Sequence, residues 1–257
     1  MQSTLNIEIK RSSLAMEMST KKIITGKQIF SQQQKNNTAL FLALLFHVCG
    51  AIGILYTPYK QWFINNTPVN LLLMAALLVL TQKQKNIFFY VFVVLCFFTG
   101  LVTEIIGVNT GALFGHYIYG DVLGIKLFNV PLMIGVNWFI AVFCSCNIIF
   151  LLNEWLYKKI STDMQPSLVV KLSAFVIDAA MLTTLFDYIL EPTAIQLGFW
   201  QWLPDGVVPV FNFVCWFIIS FVLSAFFRLM KFDKHNQFAV HLLIIQLLFF
   251  LVLQTFL

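Results

Sequence analysis

Charge is what this chain has least of. Only 11% of its 257 residues are Asp, Glu, Lys or Arg, where a soluble domain carries roughly a quarter. Apolar residues make up 60% and mean hydropathy is +0.85. A water-soluble globule is excluded, and a chain solvated by lipid is implied. Histidine is scarce too, and none lies at ligand spacing from His116, which argues against a metal centre there. The cysteines Cys49, Cys96, Cys144, Cys146 and Cys215 all fall within apolar runs. They suggest neither a disulfide framework nor a zinc site, and read as small apolar fillers. There is no P-loop, no dinucleotide glycine pattern and no HExxH, so no nucleotide or zinc-protease cofactor is expected. The final apolar run, 238–257, has no lysine, which excludes a retinal Schiff base there. The net charge of +5 is scattered over short segments rather than gathered on one face, so nucleic acid is not an expected partner.

What is abundant is length of apolar run. A helix needs about 20 apolar residues to cross the hydrocarbon core. Candidates lie near 39–56, 67–81, 87–107, 131–152, 168–190, 208–229 and 238–257. The expected fold is all-α, a polytopic transmembrane helical bundle of about seven spans, with 39–257 as its membrane domain. Residues 1–38 are polar and basic and read as a mobile cytoplasmic tail. With that tail inside, the inner segments hold 14 basic residues and the outer ones only Lys60 and Lys126. The positive-inside bias therefore predicts an integral protein of the cell's inner or plasma membrane with a cytoplasmic N-terminus. Phenylalanine occurs 28 times. It suits lipid contact and equally a pocket for a long flat hydrocarbon.

Two stretches look like copies of one device. Val130-Pro131 precedes Trp138-Phe139, and Val208-Pro209 precedes Trp216-Phe217, at identical spacing. The prolines suit first helical turns. The repeat predicts two parallel helical hairpins, 87–152 and 168–229, whose loops (108–130 and 191–207) share one membrane face. Coincidence is the competing reading.

Acids stand at the loop ends of these hairpins. Glu104 lies near the end of one span; Asp187 and Glu191, four apart, share a helix face at the end of another. Asp178 lies about 13 Å deeper than Asp187 at the helical rise. Acids at such depth are costly and usually functional. Apolar surroundings favour the uncharged form of any acid, which makes it a potential general acid. Pairing with a polar neighbour or a helix end is the bland alternative. The first loop carries Asn109, His116, Tyr117 and Tyr119, and the second Trp200 and Trp202. His116 can titrate near neutral pH. Asn137 and Asn212 are amides at apolar depth, each needing a partner or a water.

Three blocks together resemble the CruF-type membrane carotenoid hydratases. They are Glu104–Gly111 running into Phe114-Gly115-His116-Tyr117-Ile118-Tyr119; Val130-Pro131-Leu132 with Asn137-Trp138; and Asp187–Pro192 followed by Gly198-Phe199-Trp200-Gln201-Trp202, Pro209, Asn212 and Trp216. Two departures stand out: Glu191 precedes Pro192 where the family has Asp, and the expected glycine before Pro209 is missing. The resemblance implies addition of water to the terminal 1',2' double bond of an acyclic carotenoid end, as in lycopene or gamma-carotene. Protonation to a tertiary carbocation would be followed by water capture, without cofactor or metal. The implied partners are a carotenoid within the bilayer, water and other pathway enzymes. Asp187 or Glu191 would donate the proton, with Glu104 and His116 relaying protons or polarising water. Trp138, Trp200, Trp202 and Tyr117 would stabilise the cation, and Asn137 and Asn212 would anchor water or backbone. Tyr119, Asn109 and Asp178 complete the expected substrate-binding set. The rivals are a membrane end-cyclase of the lycopene cyclase kind, a proton-coupled transporter using Glu104, Asp178 and Asp187, and a scaffold for pigment enzymes.

Overall fold

A computed structural model describes residues 31–160 and 165–257. Most of the expected tail lies outside them, but the chain is already helical from Gln32, ahead of the boundary expected at 38. Among the described residues there are eight helices: α1 (Gln32–Tyr56), α2 (Lys60–Asn65), α3 (Thr67–Thr81), α4 (Ile87–Thr110), α5 (Leu132–Lys159), α6 (Leu168–Gln196), α7 (Val210–Leu229) and α8 (Gln237–Phe256). Four short strands lie in the loops of the two hairpins: β1 (Tyr117–Tyr119), β2 (Lys126–Leu127) and β3 (Val130–Pro131) between α4 and α5, and β4 (Trp200–Trp202) between α6 and α7.

Six of the helices are long and apolar enough to cross a membrane. The seventh expected span, α3, has 15 residues, or roughly 22 Å at the helical rise, short of the hydrocarbon thickness of roughly 30 Å. It nevertheless links the two ends of the bundle. Pro68 at its start lies against Gly124 of the first loop. At its end, the Leu78 carbonyl accepts from Asn236 Nδ2 at 3.1 Å and Gln82 donates to the Asp233 carbonyl. The chain thus passes seven times between the ends.

Proline placement follows donor chemistry. Pro131 and Pro209 are the N-caps of α5 and α7, where a missing N–H costs nothing. Pro192 does not end its helix, as the sequence suggested. It lies inside α6, which continues to Gln196. The ring leaves the Tyr188 carbonyl, next to Asp187 and within a turn of Glu191, without its intrahelical donor.

The core is built round α5. Its apolar stretch is 83% buried, against 28–44% for the other long helices, so α5 is the central post. Many phenylalanines turn inward. Phe89, Phe92, Phe143 and Phe227 are fully buried and meet edge to face or tilted at 5.3–6.4 Å. Such pairs add about 0.5–1.5 kcal/mol each beyond their burial. Phe41, Phe88, Phe98 and Phe211 face outward, in keeping with lipid contact.

A polar knot ties the end remote from the strands. The Asn147 side-chain oxygen accepts from Asn236 N at 3.1 Å, and Asn86 donates to the Lys231 carbonyl at 2.6 Å. Nearby, His235 bridges Glu154 and Asp233 at 3.0 and 2.9 Å. Burial opposes its protonation, but the bonds to Asp233 and Glu154 outweigh burial and raise the His235 pKa above 6.5. A raised pKa contributes stability that is complete below the unfolded value and lost as pH rises through the folded one. Thermal melts of wild type are therefore expected to fall as pH rises above about 6.5, with the slope reduced in His235→Gln. The effect is small, because the bridge is partly open to solvent.

Candidate active site

The two hairpin loops are fastened to each other. Strands β1 and β4 pair antiparallel, with Tyr117 opposite Trp202, Ile118 opposite Gln201 and Tyr119 opposite Trp200. Tyr117, Tyr119 and Trp202 turn inward while Ile118 and Gln201 face out, the alternation a pleat imposes. The pairing continues through Gly120 N to the Phe199 carbonyl at 2.9 Å. A Cβ on Gly120 would sit 2.1 Å from the Gly198 carbonyl oxygen, so only glycine permits this backbone approach.

The two copies of the predicted device meet at their tryptophans. Trp138 of α5 and Trp216 of α7, the repeated tryptophans, stack with centroids 3.7 Å apart and planes at 7°. A different spacing, 83 residues against the 78 between the tryptophans, carries Glu104 to Asp187, Gly115 to Gly198, Tyr117 to Trp200 and Tyr119 to Trp202. Both glycines have positive φ, +120° and +74°.

Three carboxyls converge beneath the strands. Glu104 is 4% exposed, Asp187 2% and Glu191 3%. Glu104 accepts at Oε1 from Trp138 Nε1 (3.1 Å) and at Oε2 from the hydroxyls of Tyr117 and Tyr119, the latter at 2.8 Å. Gly100 and Gly107 flank Glu104 on one face of α4, and their bareness makes the approach feasible. A Cβ at Gly100 would lie 2.3 Å from Trp138 Cγ, and one at Gly107 would lie 3.0 Å from the Tyr117 hydroxyl. Burial first, then the adjacent Glu104 carboxyl, pushes both tyrosine hydroxyls above the ordinary phenol range, so they stay donors. Glu191 accepts at Oε2 from Trp200 Nε1 (2.9 Å) and Trp202 Nε1 (3.0 Å), and at Oε1 from Asn212 Nδ2 (3.3 Å).

Asp187 differs. Its Oδ2 accepts from Asn212 Nδ2 at 2.9 Å, while Oδ1 has no partner among the described residues and faces a small cavity. That cavity, about 20 Å³, is lined by all three acids with Tyr117, Tyr119, Ile134, Asn137, Trp200, Trp202, Asn212 and Trp216. It is room for one water and little else. No cation lines it. Three adjacent negative charges without a counter-ion would be very costly, so the cluster retains a proton. Asp187 is the member with an oxygen free to present it.

Most of the expected residues meet here: Glu104, Asp187, Glu191, Tyr117, Tyr119, Trp138, Trp200, Trp202, Asn137 and Asn212. Three do not. His116 is exposed and lies over Gly111, where a Cβ would meet its ring at 2.2 Å. The pleat turns it away from the acids, so it is no relay in this arrangement. Asn109 is exposed and donates to the carbonyls of Ile105 and Phe128 and accepts from Asn129. It clamps the β2–β3 turn, whose Phe128 and Asn129 have φ of 47° and 68°. Asp178 sits on the exposed side of α6, roughly opposite Asp187 by helical phase, and joins no relay. Trp216 belongs to the site although the sequence reading left it out of the set; its equivalence to Trp138 was the available signal.

Comparison with known proteins gives a coarser answer than the geometry. No curated protein and no solved structure matches the chain. A sequence profile described as carotenoid biosynthesis protein matches residues 66–257. That segment contains α3 to α8, every strand and every residue of the acid cluster, and the chain accordingly belongs to the carotenoid biosynthesis protein family.

Proposed function

We propose that the protein is a cofactor-independent carotenoid hydratase, a hydro-lyase adding water across the terminal 1',2' double bond of an acyclic carotenoid end. The observation that carries the reading is the unbonded Asp187 oxygen facing a one-water cavity between aromatic walls. The Asp187 O–H bond breaks as a C–H bond forms at the less substituted alkene carbon. The π pair is consumed, and positive charge falls on the tertiary carbon. Tryptophan and tyrosine faces lower the energy of that cation, by about 2 kcal/mol or more where it is desolvated. Asn212 bonds the carboxylate left behind. A water lone pair forms the C–O bond, and the proton it sheds restores the acid, so the net change is one water added.

The cavity, about 20 Å³, is too small for an isoprenoid tip, so admission of substrate requires the β1–β4 flap or a neighbouring wall to move. Room for one water beside the acid supports hydration over cyclisation, because a cyclase must keep water from the same cation. The exposed Asp178 weighs against the transporter relay. In this reading the carotenoid lies in the bilayer and the strand-bearing loops face outward, with the N-terminus cytoplasmic. Other pathway enzymes pass the polyene to and from it. The test is expression of the full chain in a host accumulating lycopene, with pigment mass as the readout. The expected product is heavier than lycopene by one or two waters. A new pigment of unchanged mass would mean cyclisation, and no new pigment would refute both.

A further inference from the structure

A second cavity, larger than the acid site, lies between α1, α3 and α8 and reaches the α6–β4 turn. Its volume is about 380 Å³, within the range that holds a small organic ligand. Six aromatic side chains stand in its walls: Phe46, Trp62, Phe63, Phe199, Phe249 and Phe250. Polar side chains interrupt them: Asn66 and Thr67, and beside these Gln246, Asn70 and His47. Gln246 is 4% exposed, yet its Oε1 is buried without a partner, and so is Oδ1 of Asn70. His47 uses Nδ1 against the Ala43 carbonyl at 2.7 Å; in the neutral ring this leaves Nε2 an acceptor. Buried amide oxygens without donors are rare and costly. Exchange of oxygen and nitrogen in either amide turns that oxygen toward the cavity both residues line. A cavity of flat apolar walls with two unmet acceptors fits a flat hydrocarbon carrying one O–H.

We infer that this cavity is a site for the hydroxylated end of a polyene, distinct from the acid cluster. Phe199 in its wall directly precedes Trp200, which lines the acid cavity, so the two sites share a loop. The hydroxyl donates to Gln246 or Asn70, and the conjugated chain lies against the phenylalanines. The choice of a polyene alcohol rests on the hydratase reading; the demand for an O–H donor does not.

The test is binding, not turnover. Full-length protein in nanodiscs of saturated phosphatidylcholine is titrated with 1-hydroxylycopene and with lycopene, following quenching of tryptophan fluorescence, and a saturated long-chain alcohol is added as competitor. Wild type is expected to bind the hydroxylated polyene about tenfold or more tighter than lycopene, the worth of one buried hydrogen bond. Gln246→Leu is expected to erase that preference while leaving lycopene binding intact. It should not lower the melting temperature of the unliganded protein, because it removes an unsatisfied polar group. Asn70→Leu gives the same reading should Gln246→Leu fail to fold. Equal binding of the two polyenes by wild type, as for a cavity holding only water, overturns the site. A saturated alcohol that competes as well as the polyene alcohol overturns the polyene assignment. A preference retained in the Asp187→Asn protein, or found where no hydration occurs, leaves this site standing whatever becomes of the hydratase reading.

Discussion

Asp187→Asn is expected to abolish hydration while leaving the fold intact. The replacement keeps volume and planarity, and Asn212 can still donate to the side-chain oxygen at position 187, the contact now seen at 2.9 Å. What disappears is the acidic proton beside the cavity. General acid catalysis contributes about 10²- to 10⁴-fold, so the pigment product should drop below detection in the lycopene host, with unchanged expression and melting temperature. Glu104→Gln provides the contrast. Its amide nitrogen would face some of three donors, the hydroxyls of Tyr117 and Tyr119 and the indole N–H of Trp138. Hydroxyls can turn to accept; an indole cannot. That variant should therefore lose stability as well as activity. Full conversion by Asp187→Asn would remove the proton donor from the proposal.

Trp138→Ala is expected to be the most destabilising single change near the site. The side chain is wholly buried, stacks on Trp216 at 3.7 Å and donates to Glu104 at 3.1 Å. Removing a buried Trp costs about 3–5 kcal/mol, and leaving Glu104 short of a donor adds about 1–3 kcal/mol. Against a net stability of about 5–15 kcal/mol, the loss should lower the yield of folded protein sharply. Trp138→Phe keeps most of the stacked surface and loses only the donor, so its cost should be the smaller figure. Detergent melts of the two variants measure the difference directly. Equal melting temperatures would mean that the stack contributes nothing.

Much of this site could be read from the sequence, because its parts are chemically conspicuous there. Carboxyls are rare in apolar runs, so Glu104, Asp187 and Glu191 stood out. Four-residue spacing put two of them on one helix face. The paired Val-Pro and Trp-Phe steps announced two hairpins with loops on one side. His116 misled because loop composition says nothing about pleat direction; its neighbours Tyr117 and Tyr119 point in or out only once β1 has a partner. Asn109 misled for a related reason, since the turn it clamps exists only when β2 and β3 close. Asp178 was polar at depth, but depth along a helix does not reveal which side faces neighbours. Gly100 and Gly107 gave no warning at all, because a glycine in an apolar helix looks like filler until a tryptophan or a tyrosine is seen against it.

Periodicity, apolar run length and charge placement are local properties, and they alone determined the helices and the two hairpins. Which donor meets which oxygen is decided by distant segments brought together. The pairing of β1 with β4 and the stacking of Trp138 on Trp216 leave Glu104 and Glu191 fully bonded and one Asp187 oxygen free. That choice belongs to the tertiary structure, because a hydrogen bond depends on distance and angle in space, which spacing along a chain does not specify.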